Sequence, residues 1–411
     1  ITKALIMTVL GLLLGTIGFM FYLATKINLS IILVIGFYSL ANFGVFKVIK
    51  NKSFGLKYKI ISIVLIGILV RVLWMININT APHSDFSTMY STARNLLNGN
   101  TEQFKGIGYL ARFPHLTGMI IYISVYMKIF KDALIALKVG NLILSVISMI
   151  LIYKISKEVL KNENLALTSL GISSIFGPMV SYVGVLVTEN VAIPLYLLSV
   201  YLFVIYSKKD NKLIYVLLSG LALGVGNLFR MVGPIMVIAY VLYIALYIKG
   251  RIKNKVLSII LIVGTFLLVL FGTSYTLKAK GITEVDLWKG KEPSITNILK
   301  GTNIDSFGMF NAEDAGIIEK YNYDFQKIEE VAKETIKYRL TNTPPLKLII
   351  FYSGKFIGQW VQGDMSGTFW SEAGTEDITF KMLGNAELIF QIFHVGIIAL
   401  TLLSLFNKER I

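Results

Sequence analysis

YKIISIVLIGILVRVLWMI, residues 58–76, is an apolar run of bilayer length, and NINTAPHSDFSTMY, residues 77–90, follows it directly. An α-helix rises about 1.5 Å per residue, so roughly 20 apolar residues cross a hydrocarbon core about 30 Å thick. Lys47, Lys50, Lys52, Lys57 and Lys59 form one basic cluster at the start of the run. Clustered Lys and Arg mark the cytoplasmic ends of spans. The run therefore leads outward, and it delivers an acid, Asp85, to the far side of the membrane.

The same pattern recurs along the chain. Apolar runs lie near 4–25, 29–49, 58–76, 134–155, 166–182, 190–207, 213–229, 234–249, 256–276 and 383–406. Further basic clusters are Lys154, Lys157 and Lys161; Lys208, Lys209 and Lys212; and Lys249, Arg251, Lys253 and Lys255. All four clusters fall in the cytoplasm if the weaker runs 116–130 and 346–362 do not span. Their length, near 15 residues, suits interfacial or re-entrant segments. Asn407-Lys408-Glu409-Arg410 then also lies inside. The expected fold class is an all-α polytopic membrane protein of about ten transmembrane helices.

Composition agrees. Of 411 residues 55% are hydrophobic and 16% charged, against about 25% charged in soluble domains. The net charge of +16 is spread as topology signals between spans, so nucleic acid is not an expected partner. The chain has no cysteine, which excludes disulfides, thiolate catalysis and cysteine-based zinc sites. The first run is long and lacks a small-residue cleavage site, so it is expected to be a span and not a signal peptide.

Two long segments face outward on this reading. Residues 1–276 form a transmembrane region with a first external loop at 77–133. Residues 277–345 form a second external loop, and 346–411 a re-entrant segment with a last transmembrane helix. In the first loop Phe86, Met89, Tyr90, Ala93, Leu96 and Leu97 recur at helical spacing, with Ser84 as N-cap and Asn98-Gly99-Asn100 as the stop. In the second, Ile328, Val331, Ala332, Ile336 and Leu340 predict another amphipathic helix, closed by Pro344-Pro345.

The ionisable and polar residues at outer helix ends are the functional candidates. Asp85, in Pro82-His83-Ser84-Asp85-Phe86, suits the first turn of a helix on dipole grounds alone, and equally suits a general base. Arg112-Phe113-Pro114-His115 precedes the short run 116–130, where His115 is a candidate for orienting a phosphate or a hydroxyl. Glu189, in Thr188-Glu189-Asn190, is an acid flanked by apolar sequence, and such groups are functional candidates by default. Arg230 interrupts a long apolar stretch on the side that positive charge avoids, so an anionic partner is expected for it. Lys355 lies inside an apolar segment, either snorkelling or meeting a phosphate. Arg71, near the end of its span, is expected to snorkel. No HExxH, P-loop or dinucleotide fingerprint is present, and three histidines are too few for a histidine-rich metal site. No metal site is assigned, although a carboxylate-held divalent cation is compatible with the sequence.

In order and membrane side these motifs resemble the GT-C superfamily of membrane glycosyltransferases. They are Ser84-Asp85-Phe86 with Tyr90, Ala93 and Leu96; Arg112-Phe113-Pro114-His115; Thr188-Glu189-Asn190; and Phe229-Arg230. The nearest group is the bacterial relatives of protein O-mannosyltransferases and aminoarabinose transferases. Gly301-Thr302-Asn303 through Glu313-Asp314 also looks like a segment of such proteins. The resemblance extends from residue 58 onward, and it departs at Phe86, where relatives often carry Glu, and at Phe113-Pro114-His115-Leu116, where they often carry His-Pro-Pro-Leu.

The resemblance implies a GT-C-type bundle and transfer of a sugar from a polyprenyl-phosphate donor to a hydroxyl outside the cytoplasm, with inversion. The acceptor would be a glycan such as a teichoic-type polymer, a lipid or a protein, and the setting the cell membrane. Asp85 takes the catalytic position. Arg230, Lys355 and Arg112 would hold the donor phosphate, and Glu189, His115, His83 and Tyr90 would position sugar or acceptor. All are expected on the outer side of the bilayer, with Asp85, Arg230 and Lys355 meeting in one cavity. The alternative is a transporter or flippase for polyprenyl lipid or solute, which predicts repeated halves and mid-membrane polar residues; neither is seen.

Overall fold

A computed structural model describes residues 2–208, 212–372 and 377–406. Lys209 and residues 407–410 lie outside the described residues. Helix dominates, and no strand occurs among the described residues. The longer helices are α1 (Thr2–Ala24), α2 (Ile31–Lys50), α3 (Leu56–Asn77), α4 (Ser84–Leu97), α5 (Thr117–Ile129), α6 (Ala133–Leu160), α7 (Glu163–Ile175), α8 (Glu189–Lys208), α9 (Leu213–Asn227), α10 (Gly233–Leu246), α11 (Ile252–Ala279), α12 (Phe325–Asn342), α13 (Pro345–Val361) and α14 (Asp377–Ser404).

Seven of these, α1, α2, α3, α6, α8, α11 and α14, are long and apolar enough to cross a membrane. The protein is thus an all-α polytopic membrane protein, as the runs predict. The other three predicted spans differ in detail. The run expected at 166–182 is broken: α7 and the segment Gly177–Gly184 meet at 53°. Gly177 and Pro178 open the second segment, and Phe176 before them is extended. Proline lacks the N–H that would continue the ladder and disfavours helix just before it, which accounts for the break. Helices α9 and α10 stand where expected but are short, at 15 and 14 residues. Helices α5 and α13, with 13 and 17 residues, fall outside the set of long spans.

The break in the bundle is held by a buried charge. Arg71 of α3 is fully buried and does not snorkel. Its guanidinium donates to Ser145 Oγ at 2.8 Å, to the carbonyls of Gly67 and Ser173 at 3.0 Å, and to the carbonyl of Ser174 at 2.8 Å. Ser173 and Ser174 lie in the last turn of α7, whose carbonyls have no partner within the helix. A cation at that end also meets the negative pole of the helix dipole. Arg71 therefore closes the end of a helix that Pro178 forces to stop, and ties it to α3 and α6.

Helix α6 is the spine of the same region. Lys138 donates to the Thr80 carbonyl at 2.7 Å, and Asn141 to the carbonyls of Val183 and Val185, each at 3.1 Å. Helix α4 lies across this end of the bundle. Its Met89 and Ala93 are buried with Phe104, Leu110, Met119, Ile120 and Ile123 in one apolar cluster. Burying a side chain such as Met89 contributes about 1.5–3 kcal/mol, so the amphipathic pattern read in the sequence fixes the roll of α4. Ile328 and Ala332 of α12 make a separate cluster with Leu299, Ile317 and Ile318.

Replacing Arg71 by Leu leaves the Ser173 and Ser174 carbonyls without donors. The expected loss is about 2–4 kcal/mol of stability in detergent, since hydrogen bonds from a charged group contribute about 1.5–3 kcal/mol each and orphaned partners add to the cost. Arg71→Lys recovers only part of it, because an ammonium lacks the planar fork. Equal thermal unfolding midpoints for wild type and Arg71→Leu would refute the staple.

Candidate active site

A cavity of about 700 Å³ opens between the start of α4, the middle of α6, the segment joining α7 to α8, the first half of α8 and the turn after α9. One part of its lining is polar: Asp85, Thr188, Glu189, Asn190 and Arg230. The other is apolar and runs into the bundle past Ile152, Phe176, Ile193 and Leu197. From Ser145 to Ile152 on α6, and from Glu189 to Leu197 on α8, the lining descends roughly 10–12 Å at the helical rise. The space is amphipathic along its length.

Asp85 is solvent-exposed in the first turn of α4. The helix begins differently from expectation. His83 occupies the N-cap position, without a side-chain cap bond, and Ser84 is already inside the helix at φ 50°. A left-handed backbone costs a non-glycine residue about 1–2 kcal/mol, and such strain gathers at functional positions. Asp85 is thus set at a sharp change of chain direction. Tyr109 lies beside it. Burial, and after it the Asp85 carboxylate, pushes the Tyr109 hydroxyl above its usual range, so this phenol stays a neutral donor facing Asp85.

Glu189 and Arg230 meet as a pair. Arg230 Nε lies 3.3 Å from Glu189 Oε1, and Thr188 Oγ donates to the other carboxylate oxygen at 2.9 Å. Both charged side chains are about half exposed, so their attraction is largely screened. The pair therefore orients Arg230 without tying it down. Tyr196 donates to the Arg230 carbonyl and fixes the turn after α9. The start of α5 approaches that turn closely: a Cβ on Gly118 would stand 2.2 Å from the Leu228 carbonyl oxygen. This approach brings His115 near Arg230. Burial first, and then the Arg230 charge, lowers the His115 pKa from 6.5.

The remaining expected residues are distributed differently. Arg112 lies 3.4 Å from Glu292 and over the rings of Phe113 and Tyr323, lining a neighbouring cavity of about 140 Å³ together with His115. Tyr90 sits under Arg94, packed in the α4 cluster. Lys355 is not brought to the cavity that Asp85 and Arg230 share. Its ammonium donates to the Gly301 carbonyl at 2.8 Å, at the end of the short helix Ile295–Gly301. Lone carbonyls at a helix C-terminus attract a cation, which accounts for its position. Asp314 and Arg339, paired at 2.8 Å, brace the same segment. Among the described residues no three His, Asp or Glu side chains converge as metal ligands.

The cavity also has a wall that the sequence reading passed over. Met365 and Trp370 line it, from the segment between α13 and α14. Trp370 stands 5.1 Å from Phe86 and 5.3 Å from His83, ring centre to ring centre. Tyr182, also in the lining, donates to the Met365 carbonyl at 2.6 Å. Thr80 donates to the Ser371 carbonyl at 3.1 Å, and Ser371 to that of Ser181 at 3.3 Å. The only signal in the sequence was Phe369-Trp370 between two apolar runs, with nothing to say what it faced.

Residues 118–275 match the family model described as dolichyl-phosphate-mannose-protein mannosyltransferase. The matched stretch is over a third of the chain and holds Glu189, Arg230 and the apolar floor of the cavity, while Asp85 and Trp370 lie outside it. No curated protein and no solved structure matches the chain. That family is one of the GT-C superfamily of membrane glycosyltransferases, and residues 118–275 of this multi-pass chain are similar to it.

Proposed function

We propose that this chain is a GT-C-type glycosyltransferase that moves a sugar from a polyprenyl-phosphate donor to an acceptor hydroxyl on the outer side of the cytoplasmic membrane. The observation that carries the reading is the cavity itself, with a carboxylate and a guanidinium at its polar end and an apolar descent between α6 and α8. A lipid tail stays among Ile152, Phe176, Ile193 and Leu197. The sugar phosphate stays at the mouth. The basic clusters at the opposite ends of the spans support an outward mouth.

In this mechanism Asp85 accepts the proton of the acceptor hydroxyl. The acceptor oxygen bonds to the anomeric carbon from the face opposite the phosphate, and the bond from carbon to phosphate oxygen breaks. The configuration inverts in this single displacement. The lipid phosphate leaves with one more negative charge, which Arg230 meets in place of Glu189. Glu189 holds Arg230 aimed between turnovers. Lys355 takes no part, since it serves the Gly301 carbonyl. A phosphate leaving group requires little protonation, so one carboxylate base suffices where a glycoside hydrolase uses two.

Three outcomes follow. Asp85→Asn, folded and still binding donor, loses about 10²–10⁴-fold in transfer from polyprenyl-phosphate sugar; turnover near wild type ends the base assignment. Arg230→Ala loses a comparable factor in kcat/KM with weaker binding of polyprenyl monophosphate, about 10²-fold or more in rate, whereas Lys355→Ala leaves that binding unchanged. Unaltered phosphate binding in Arg230→Ala removes its role.

The third outcome concerns pH. The His115 pKa is lowered, so its neutral form is favoured and its contribution to stability is complete above pH 6.5, then lost as pH falls toward the folded value. Histidine-resolved NMR titration should place His115 below 6.5 and move it upward in Arg230→Ala. A titration indifferent to Arg230 would show that the two are not neighbours.

A further inference from the structure

We propose that Trp370, Phe86 and His83 form a sugar-stacking subsite for the acceptor, so that the acceptor is a glycan; this rests on the transferase reading above.

Trp370 takes no part in the buried apolar clusters of the bundle. It is half-buried beside Asp85, at the edge of the cavity. Phe86 meets it edge-on at 71°, and His83 lies at 34° to it. On its other side Phe369 is edge-on at 76°. Edge-to-face partners hold an indole ring in place.

The backbone beneath the ring is built to be rigid. Asp364, fully buried, accepts from the Thr368 N–H at 2.7 Å, the Thr368 hydroxyl at 2.6 Å and the Ser366 N–H at 3.1 Å. Gln391 of α14 accepts from the Gly363 N–H at 2.7 Å. Met365 and Ser366 are held at φ 52° and 65°. Gly367 is pressed so closely on Ser181 that a Cβ there would lie 1.9 Å from its hydroxyl oxygen. These constraints hold the segment that carries Trp370, which lines the same cavity as Asp85.

Exposure assigns this wall to the acceptor. The deep end of the cavity is apolar and suits the donor tail. The wall is at the open end, where Met365 and Phe369 are 50% and 57% exposed and Ser84, Asp85 and Ser87 are exposed as well. A molecule entering at the polar mouth beside Asp85 meets it first. A pyranose ring presents a face of C–H groups ringed by hydroxyls. That face packs on an aromatic plate, and a hydroxyl at the rim reaches Asp85.

The test is saturation-transfer NMR on the full chain in lipid nanodiscs free of sugar detergents. The probes are methyl glycosides of glucose, mannose, galactose and N-acetylglucosamine, with a Ser/Thr hexapeptide beside them. Wild type is expected to transfer saturation to the ring C–H protons of at least one glycoside. Trp370→Ala should cut that signal at least fivefold and Trp370→Phe should keep at least half. Should Trp370→Ala fail to fold, His83→Ala takes its place with at least a twofold cut. Asp85→Asn should retain the signal while losing transfer. An undiminished signal in Trp370→Ala, no signal for any glycoside, or a signal for the peptide alone overturns the subsite. If instead the signal depends on Trp370 but Asp85→Asn transfers normally, the base assignment fails and the subsite stands.

Discussion

One buried guanidinium settles where this bundle bends. Pro178 stops α7 short, and a helix that ends inside an apolar bundle leaves carbonyls that nothing in lipid satisfies. Arg71 supplies the donors from α3, and Ser145 of α6 accepts from its Nε–H. Every partner is neutral, so the charge is solvated by carbonyl and hydroxyl dipoles and not by an opposite charge. Because the stop is stable, the chain turns by 53° and returns Pro178, Met179 and Tyr182 as a wall of the cavity. A straight helix would fill that space.

The polar end follows from the same economy of donors. Lys138 and Asn141 of α6 each satisfy backbone carbonyls of an irregular stretch, one before α4 and one before α8. Those two stretches deliver Asp85 and Glu189. Arg230 arrives from the turn after α9, and it finds a half-exposed carboxylate that holds it loosely. A surface ion pair of this kind contributes little to stability, and is readily exchanged for a phosphate. The arrangement is steady in its backbone and adjustable at its charged tips, which suits a site where an anion forms and departs.

How much of this was readable from the sequence differs by length scale. Hydropathy is a local property, and nine of the ten runs it predicts are single helices and the tenth a bent pair, while the amphipathic stretches became α4 and α12. Asp85, Glu189 and Arg230 were legible because charge is rare in such sequence, and they do share one cavity. Arg71 looked the same in one dimension, yet it is buried, because the broken helix facing it is a matter of packing. Lys355 was misplaced for a related reason. The carbonyl that claims it belongs to Gly301, a partner 54 residues away. Trp370 was invisible, since an aromatic next to an apolar run reads as core or interface until its neighbours are known. Long-range partners of ordinary residues are what hydropathy and spacing leave out.

The central claim is that the amphipathic cavity is the seat of a lipid-linked sugar phosphate. A cryo-electron-microscopy map of the protein loaded with polyprenyl monophosphate tests it most directly. Phosphate density is expected within ion-pair distance of Arg230, on the same side as Asp85, with the tail following α6 and α8 past Ile152 and Leu197. Phosphate density beside Lys355, or a tail leaving the protein elsewhere while this cavity holds only water, would contradict it.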